Sequence, residues 1–394
     1  MNERVQAVCR EYQRIFGGAE PSVWSAPGRT ELGGNHTDHQ RGRVLAAAVD
    51  MDMLAAAAKN GEDLVRVKSE NYEMLSFSLA DLSPVEEEKG TTAALVRGVC
   101  AQARERGFDV GGFNAYITSN VMQGSGLSSS AAFEVLIGAV VNSLFCGDSL
   151  TATDLAIMGQ KAENLWFGKP CGLMDQMASA WGGVIEIDFA DPSAPVVTPV
   201  DFDFTATDHS LCMVDLRSDH ANLTPAYAAI PEELRQVSRF FGKTELRDVD
   251  ETEFYSAISA LRREAGDRAV LRAMHIFAEN RRVIAEADAL REGDFDRFLA
   301  LVRESGLSSW CYLQNVVVRG ETRDQAAALA LALCEQVLGL RGAWRIHGGG
   351  FGGTVQAFVP NDLLDDFRAQ LEAVFGAGTC HVMQIRPQGF TRVK

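Results

Sequence analysis

Residues 124–145 read GSGLSSSAAFEVLIGAVVNSLF, a glycine- and serine-rich loop running into a long apolar helix. The stretch before it, GGFNAYITSNV, has the make-up of a strand. A strand, a loop of small residues and a helix in this order constrain the fold strongly. Small residues let the backbone approach a ligand, and the first N–H groups of a helix are unpaired and carry positive potential. Together they form a site for phosphate oxygens. The plain alternative is a tight turn with serine N-caps. The loop matches neither GxxxxGK[ST] nor GxGxxG. A second loop, HGGGFGG at 347–353, packs five glycines into six residues around Phe351, too many for a simple turn.

With 394 residues the chain has room for two domains and an ample core. A net charge of −16 argues against nucleic acid or an anionic membrane surface as partner. An anion would bind only where local cations or helix ends attract it. The eight cysteines are scattered without a CxxC pair, which suggests reduced, core-packed thiols and a cytoplasmic setting. No signal peptide or transmembrane run is visible.

The pattern predicts a first helix over MNERVQAVCREYQRIF, ended by Gly17-Gly18, then strands in SVWSAPGRTELGG, VLAAAVDMDMLAAAA, LVRVKSEN and MLSFSLADL. TTAALVRGVCAQARERG is read as a helix. TATDLAIMGQKAENLWFG is read as one helix, capped by Thr151 or Thr153. A helix in CGLMDQMASAWGG and a strand in GVIEIDF follow. The Asp/Pro-rich stretch DPSAPVVTPVDFDFTATDH puts a domain boundary near residue 205, dividing the chain into 1–205 and 206–394. The second half reads as strand LCMVDL, helices from about Glu232 to Gly339, then strand, helix and strand.

PGRTELGGNHTDHQRGRVL, at 27–45, resembles the N-terminal signature of galactokinases. GSGLSSSAA resembles the ATP loop of the wider GHMP small-molecule kinases. AENLWFGKPCGLMDQ resembles the galactokinase segment carrying the catalytic aspartate, and HGGGFGGTVQAFV the third GHMP motif. Each is weak alone, but four in family order are strong together. DLRSDHANLTPAY adds a fifth, placing His220 and Tyr227 as galactokinases place a sugar-contacting tyrosine.

The resemblance implies an α+β, two-lobed fold: a mixed-sheet N-terminal lobe, a C-terminal lobe of antiparallel sheet plus helices, and the site in the cleft. It implies transfer of the γ-phosphoryl of ATP, with Mg²⁺, to the C1 hydroxyl of a hexose. Asp175 would be the base and Arg29 its charge partner beside the phosphate. Gly124, Ser125, Gly126, Leu127, Ser128, Ser129 and Ser130 would cradle ATP. Ser130 and Glu163 would hold Mg²⁺, a pairing of hard oxygens suited to that ion. Asn35, His36, Thr37, Asp38, Gly172 and Tyr227 would line the sugar site. His36 is also open to a buried structural role.

Three positions depart from the family pattern. Galactokinases usually read GEHTDY where this chain has GNHTDH, and GRVNLIG where it has Glu31. The family glutamate binds the 6-hydroxyl. An amide at Asn35 still suits a hydroxyl, so galactose is the leading substrate. Loss of the charge also admits a C6 carboxylate, and plant galacturonokinases resemble this chain in lacking the glutamate and reading HxDHQ. Glu31 stands as a relocated acid on one reading. A sugar sensor without turnover is a third reading, disfavoured because GLSSSAA, Arg29 and Asp175 are all present.

Overall fold

The computed structural model describes residues 3–121, 126–217 and 224–394. Gly124, Ser125 and His220 therefore lie outside the described residues.

Helix α1 (Glu3–Phe16) ends at Gly17, as its glycine pair predicts. Strands β1 (Ser22–Gly33) and β2 (Arg43–Lys59) form a long antiparallel ribbon. Strands β3 (Leu64–Ser69) and β4 (Leu75–Ser78), helix α2 (Thr92–Glu105) and strand β5 (Phe113–Ser119) follow. Helices α3 (Ser129–Phe145), α4 (Ala152–Lys161) and α5 (Met174–Trp181) pack on one another, and α3 and α5 also pack on the β1–β2 ribbon. Strands β6 (Val184–Asp188) and β7 (Val196–Val200) close this half.

The first sheet runs β12-β1-β2-β5-β3-β4, with β6 paired to the early part of β2 and β7 paired to β6. It is mixed, because β3 and β5 run parallel while the other pairs are antiparallel. The second sheet, β11-β8-β10-β9, is antiparallel throughout. Its strands are β8 (His209–Asp215), β9 (Ala343–Ile346), β10 (Thr354–Pro360) and β11 (Cys380–Met383), and β12 (Thr391–Arg392) returns to the first sheet. Between β8 and β9 lie α6 (Thr224–Phe240), α7 (Glu251–Glu264), α8 (Asp267–Arg291), α9 (Phe295–Ser308) and α10 (Ala326–Leu338), and α11 (Leu364–Phe375) precedes β11. The two-lobed α+β architecture is thus as expected.

Local differences have physical causes. The helix expected through Phe167 turns π-helical over Ala162–Phe167, with Gly168 left-handed at its end. Thr151 caps α4 through a full capping box with Asp154. Helix α6 begins eight residues earlier than expected, since the chain accommodates Pro231 within it. VVTPV in the Asp/Pro-rich stretch is an edge strand, where Pro199 costs no ladder bond that a central strand needs. TVQAFVP is a fully buried central strand, and such a run carries no alternation to reveal it.

Candidate active site

Strand β1 delivers the first group. Its pairing with β2 slips between Pro27 and Arg29 and again between Glu31 and Gly33. Such irregularities re-aim side chains. Arg29 is 6% exposed, and its Nε donates to Asp175 Oδ1 at 2.7 Å while its Nη1 donates to the Gly126 carbonyl at 2.5 Å. Asp175 lies in the first turn of α5. Its other oxygen accepts from the Ser128 hydroxyl. Burial alone would raise the Asp175 pKa, but the Arg29 charge and hydrogen bond and the Ser128 bond outweigh it. The carboxylate is held below the ordinary aspartate value and is ionised at neutral pH.

Ser128 is not the N-cap that a simple turn would need. It is left-handed at φ 54°, makes no side-chain capping bond, and spends its hydroxyl on Asp175. The N-terminus of α3 therefore faces the cavity with its early N–H groups unclaimed by a cap. That cavity measures about 280 Å³. Arg29, Asp175, Lys169, residues 126–130, Tyr227 and the 348–353 glycine loop line it, so both glycine loops meet in one place.

Behind it, Ser130 Oγ donates to Glu163 Oε1 at 3.3 Å, and Lys169 Nζ lies 3.1 Å from the same oxygen. Gln176 Nε2 donates to both Glu163 Oε2 (3.1 Å) and Glu134 Oε2 (2.9 Å). Burial and the Glu163 charge push the Glu134 pKa well up, so that carboxyl keeps its proton. Among the described residues no cluster of three or more His, Cys, Asp or Glu is fit for a metal. The donors present, one carboxylate and one hydroxyl beside a phosphate cradle, suit an ion that takes most of its ligands from phosphate and water, as Mg²⁺ does.

A second cavity of about 430 Å³ shares Ser129 and Ser130 with the first. Leu95, Phe133, Phe167 and Tyr72 make it largely apolar. The only residue in the chain order that hints at it is Tyr72, an aromatic in the polar stretch between β3 and β4.

The 33–40 stretch folds back on itself. Gly34 is at φ 92°, where a Cβ would meet the Arg43 carbonyl at 2.5 Å, and His36 is left-handed at φ 60°. Thr37 is fully buried and bonds the Gly34 and Arg43 carbonyls, a turn-holding role. Asn35 is likewise fully buried. Its Nδ2 donates to the Gly348 carbonyl at 2.5 Å and to Glu31 Oε1 at 3.1 Å. Its Oδ1 accepts from Asn315 Nδ2 at 2.9 Å and Ser309 Oγ at 3.3 Å. The amide is thus committed to protein groups. Glu31 is ion-paired with the fully buried Arg345, so the acid of that cluster is neutralised.

His36 Nε2 bonds the Gly349 carbonyl (3.0 Å) and its ring meets Tyr227 at 5.9 Å. Burial, then the charge of neighbouring His39, lowers the His36 pKa to about 3, so the ring is neutral. Asp38 sits against Gly172, where a Cβ would lie 1.8 Å from its Oδ2. Burial and the Asp175 charge raise its pKa. His36, Asp38, Gly172 and Tyr227 therefore gather around one region beside Asp175, while Asn35 and Thr37 stand behind it.

A family profile described as the galactokinase galactose-binding signature matches residues 10–59, and one described as the GHMP kinases N terminal domain matches residues 94–183. The Lactococcus lactis galactokinase complexed with galactose is 25% identical, with a TM-score of 0.84 over 99% of this chain and 100% of that chain. The Methanococcus jannaschii mevalonate kinase (13% identity, TM-score 0.65, 93% and 98% covered) shares the fold. So does a D-glycero-D-manno-heptose 1-phosphate kinase from Bacteriodes thetaiotaomicron (16%, 0.63, 94% and 98%). Fold, paired glycine loops and profiles define a sugar kinase of the GHMP superfamily. Its 10–59 segment matches the galactokinase galactose-binding signature, with Glu31, Asn35 and His39 at the positions that depart from the usual wording of that signature.

Proposed function

We propose that the chain transfers the γ-phosphoryl of ATP to the anomeric C1 hydroxyl of galactose, giving galactose 1-phosphate and ADP. The observation that carries this reading is the ionised Asp175, gripped by Arg29 and Ser128, at the wall of a cavity lined by both glycine loops.

The phosphates of ATP bind at the N-terminus of α3, on residues 124–130, with the adenosine end in the apolar cavity beyond Ser129 and Ser130. Ser130 and Glu163 hold Mg²⁺, which when bound offsets the charge of the phosphate oxygens. His36, Asp38, Gly172 and Tyr227 receive the sugar. Asn35 and Thr37 shape that site from behind, through the turn they hold.

The C1 oxygen attacks phosphorus in line, the bond from phosphorus to the bridging oxygen breaks, and ADP leaves. The proton of the C1 hydroxyl passes to Asp175. A carboxylate with a depressed pKa is a weak base, so this transfer suits a loose transition state in which the proton is lost late. Arg29 keeps Asp175 ionised and offsets charge on the phosphoryl group.

A second reading, galacturonate as acceptor, is favoured by one observation. Position 35 carries no charge and Glu31 is cancelled by Arg345, so nothing in that cluster repels a carboxylate at C6. The test is ADP release with Mg-ATP and galactose, galacturonate or N-acetylgalactosamine in parallel. Turnover of galactose alone supports the first reading and of galacturonate alone the second. Sugar binding without any ADP release overturns both in favour of a sensor.

A further inference from the structure

The loop and strand opposite α3 hold two polar atoms that the proposed roles leave unused. His347 and Thr354 are 3% and 2% exposed and line the same cavity as Arg29 and Asp175. Among the described residues, neither His347 Nδ1 nor Thr354 Oγ1 has a hydrogen-bond partner. Both look toward Gly126: a Cβ there would stand 3.0 Å from Nδ1 and 3.2 Å from Oγ1. A buried polar atom without a partner is costly, so such a pair beside a cavity marks a place for a ligand atom.

The protonation of His347 follows from its other nitrogen. The backbone N–H of Glu31 donates to Nε2 at 3.1 Å, and the Thr30 hydroxyl lies 3.1 Å from the same atom. Thr30 Oγ1 in turn accepts from Gln356 Nε2 at 2.7 Å, which leaves its own hydrogen free to point at Nε2. A nitrogen accepting from a peptide N–H carries no proton, so the single proton of the neutral ring sits on Nδ1. Burial, and the charges of Arg29 and Arg345, keep the ring neutral by lowering its pKa well below the usual histidine value. Nδ1–H is therefore a fixed donor, held by a buried strand, with Arg29 alongside and no acceptor of its own among the described residues. Nδ1–H and the Thr354 hydroxyl, beside the Arg29 guanidinium, suit an oxygen that only accepts.

We propose that His347 donates its Nδ1–H to an oxygen of the phosphoryl group being transferred, with the Thr354 hydroxyl as a second donor to the same group. This rests on the kinase reading above and adds a catalytic residue to it. A donor preset by a peptide N–H needs no reorganisation as charge develops, which is where such groups act.

Two measurements test it. The variant His347→Gln keeps an acceptor near the Nε2 position, for the Glu31 N–H, and deletes the inward donor. It should melt near the wild-type temperature and lose roughly 10- to 100-fold in kcat, with the KM for the sugar within about threefold. The second measurement needs no variant to fold. In [¹⁵N]histidine-labelled wild-type protein, which holds seven histidines, the His347 Nδ1–H resonance should shift on adding adenylyl imidodiphosphate and stay in place with AMP. A His347→Gln kcat within twofold of wild type, or an Nδ1 resonance unmoved by adenylyl imidodiphosphate, overturns the proposal and leaves the pair to a buried water. If the wild type turns over none of the sugars yet the resonance shifts, the function proposed above fails while the His347 contact stands.

Discussion

At the residue scale the site is a set of carboxylates driven apart in protonation state by their surroundings. Asp175 is kept ionised by Arg29 and Ser128, while Glu134 is kept protonated by burial next to Glu163. Asp175→Asn removes the proton acceptor while keeping shape. It should lower kcat by about 10²–10⁴-fold and change the sugar KM by only a few-fold, as steady-state kinetics would report. A large KM effect at unchanged kcat would contradict the assignment. Asn35→Glu is a different matter, because its amide sits 3.1 Å from Glu31 Oε1 and bonds three further groups. A second carboxylate there should cost stability, about 3 kcal/mol or more, whichever sugar is the substrate. Expression and urea melts would check this, and a fully stable Asn35→Glu would mean the network rearranges freely. Glu286 extends the theme: it is fully buried and neither oxygen has a partner among the described residues. Burial, then the Glu279 charge, raises its pKa well above the usual value. A raised folded pKa gives a contribution that is complete below the unfolded pKa of about 4.3 and falls by about 1.4 kcal/mol per pH unit up to the folded pKa. Glu286→Gln removes that loss, so its melting temperature relative to wild type should climb from pH 5 to pH 8; a constant difference would sink the idea.

At the element scale the decisive feature is how α2, the π-helical turn and α3 share space. A Cβ on Gly98 in α2 would stand 2.7 Å from Ala162 Cβ and 2.8 Å from Ala162 Cα. The glycine lets α2 lie against the turn that carries Glu163. Gly98→Ala should push that turn, costing roughly 1–3 kcal/mol and raising the Mg²⁺ concentration needed for half-maximal activity. Gly138 in α3 is the control, since a Cβ there meets Leu155 at an ordinary 3.4 Å. Gly138→Ala should be neutral or stabilising by about 0.4–1 kcal/mol. Equal responses at both positions would rule out the packing argument. The helices themselves were readable from their periodicity and caps, Thr151 above all. The π-helical turn was not, and it packs against Gly98, more than sixty positions away in sequence.

At the scale of the whole molecule, the two sheets are tied together at the sugar signature. Arg345, from β9, is fully buried, pairs with Glu31 of β1 and donates to the Leu32 carbonyl at 2.8 Å. Helix α8 adds Glu279, which accepts the Gly34 and Asn35 N–H groups at 3.1 and 3.3 Å. Arg345→Ala leaves Glu31 buried and unpaired and should cost about 3–5 kcal/mol. Replacing both partners, Glu31→Gln with Arg345→Met, should recover much of the loss in urea melts; no recovery would mean the arginine acts through packing alone.

The sequence by itself determined the parts whose causes are local. Glycine clusters, the Gly/Ser loop before an apolar helix and the motif order pointed to the fold and to Arg29, Asp175, Ser130 and Glu163, because backbone conformation and side-chain type are written residue by residue. Only the tertiary structure decided what each group faces. It turned Ser128 from a helix cap into a partner of Asp175 and committed the Asn35 amide to Glu31, Gly348, Ser309 and Asn315. It also left His347 Nδ1 at the cavity wall without a partner among the described residues. Those partners lie as much as 313 positions apart in the chain. A hydrogen bond depends on distance and direction in space, and neither is carried by the order of residues.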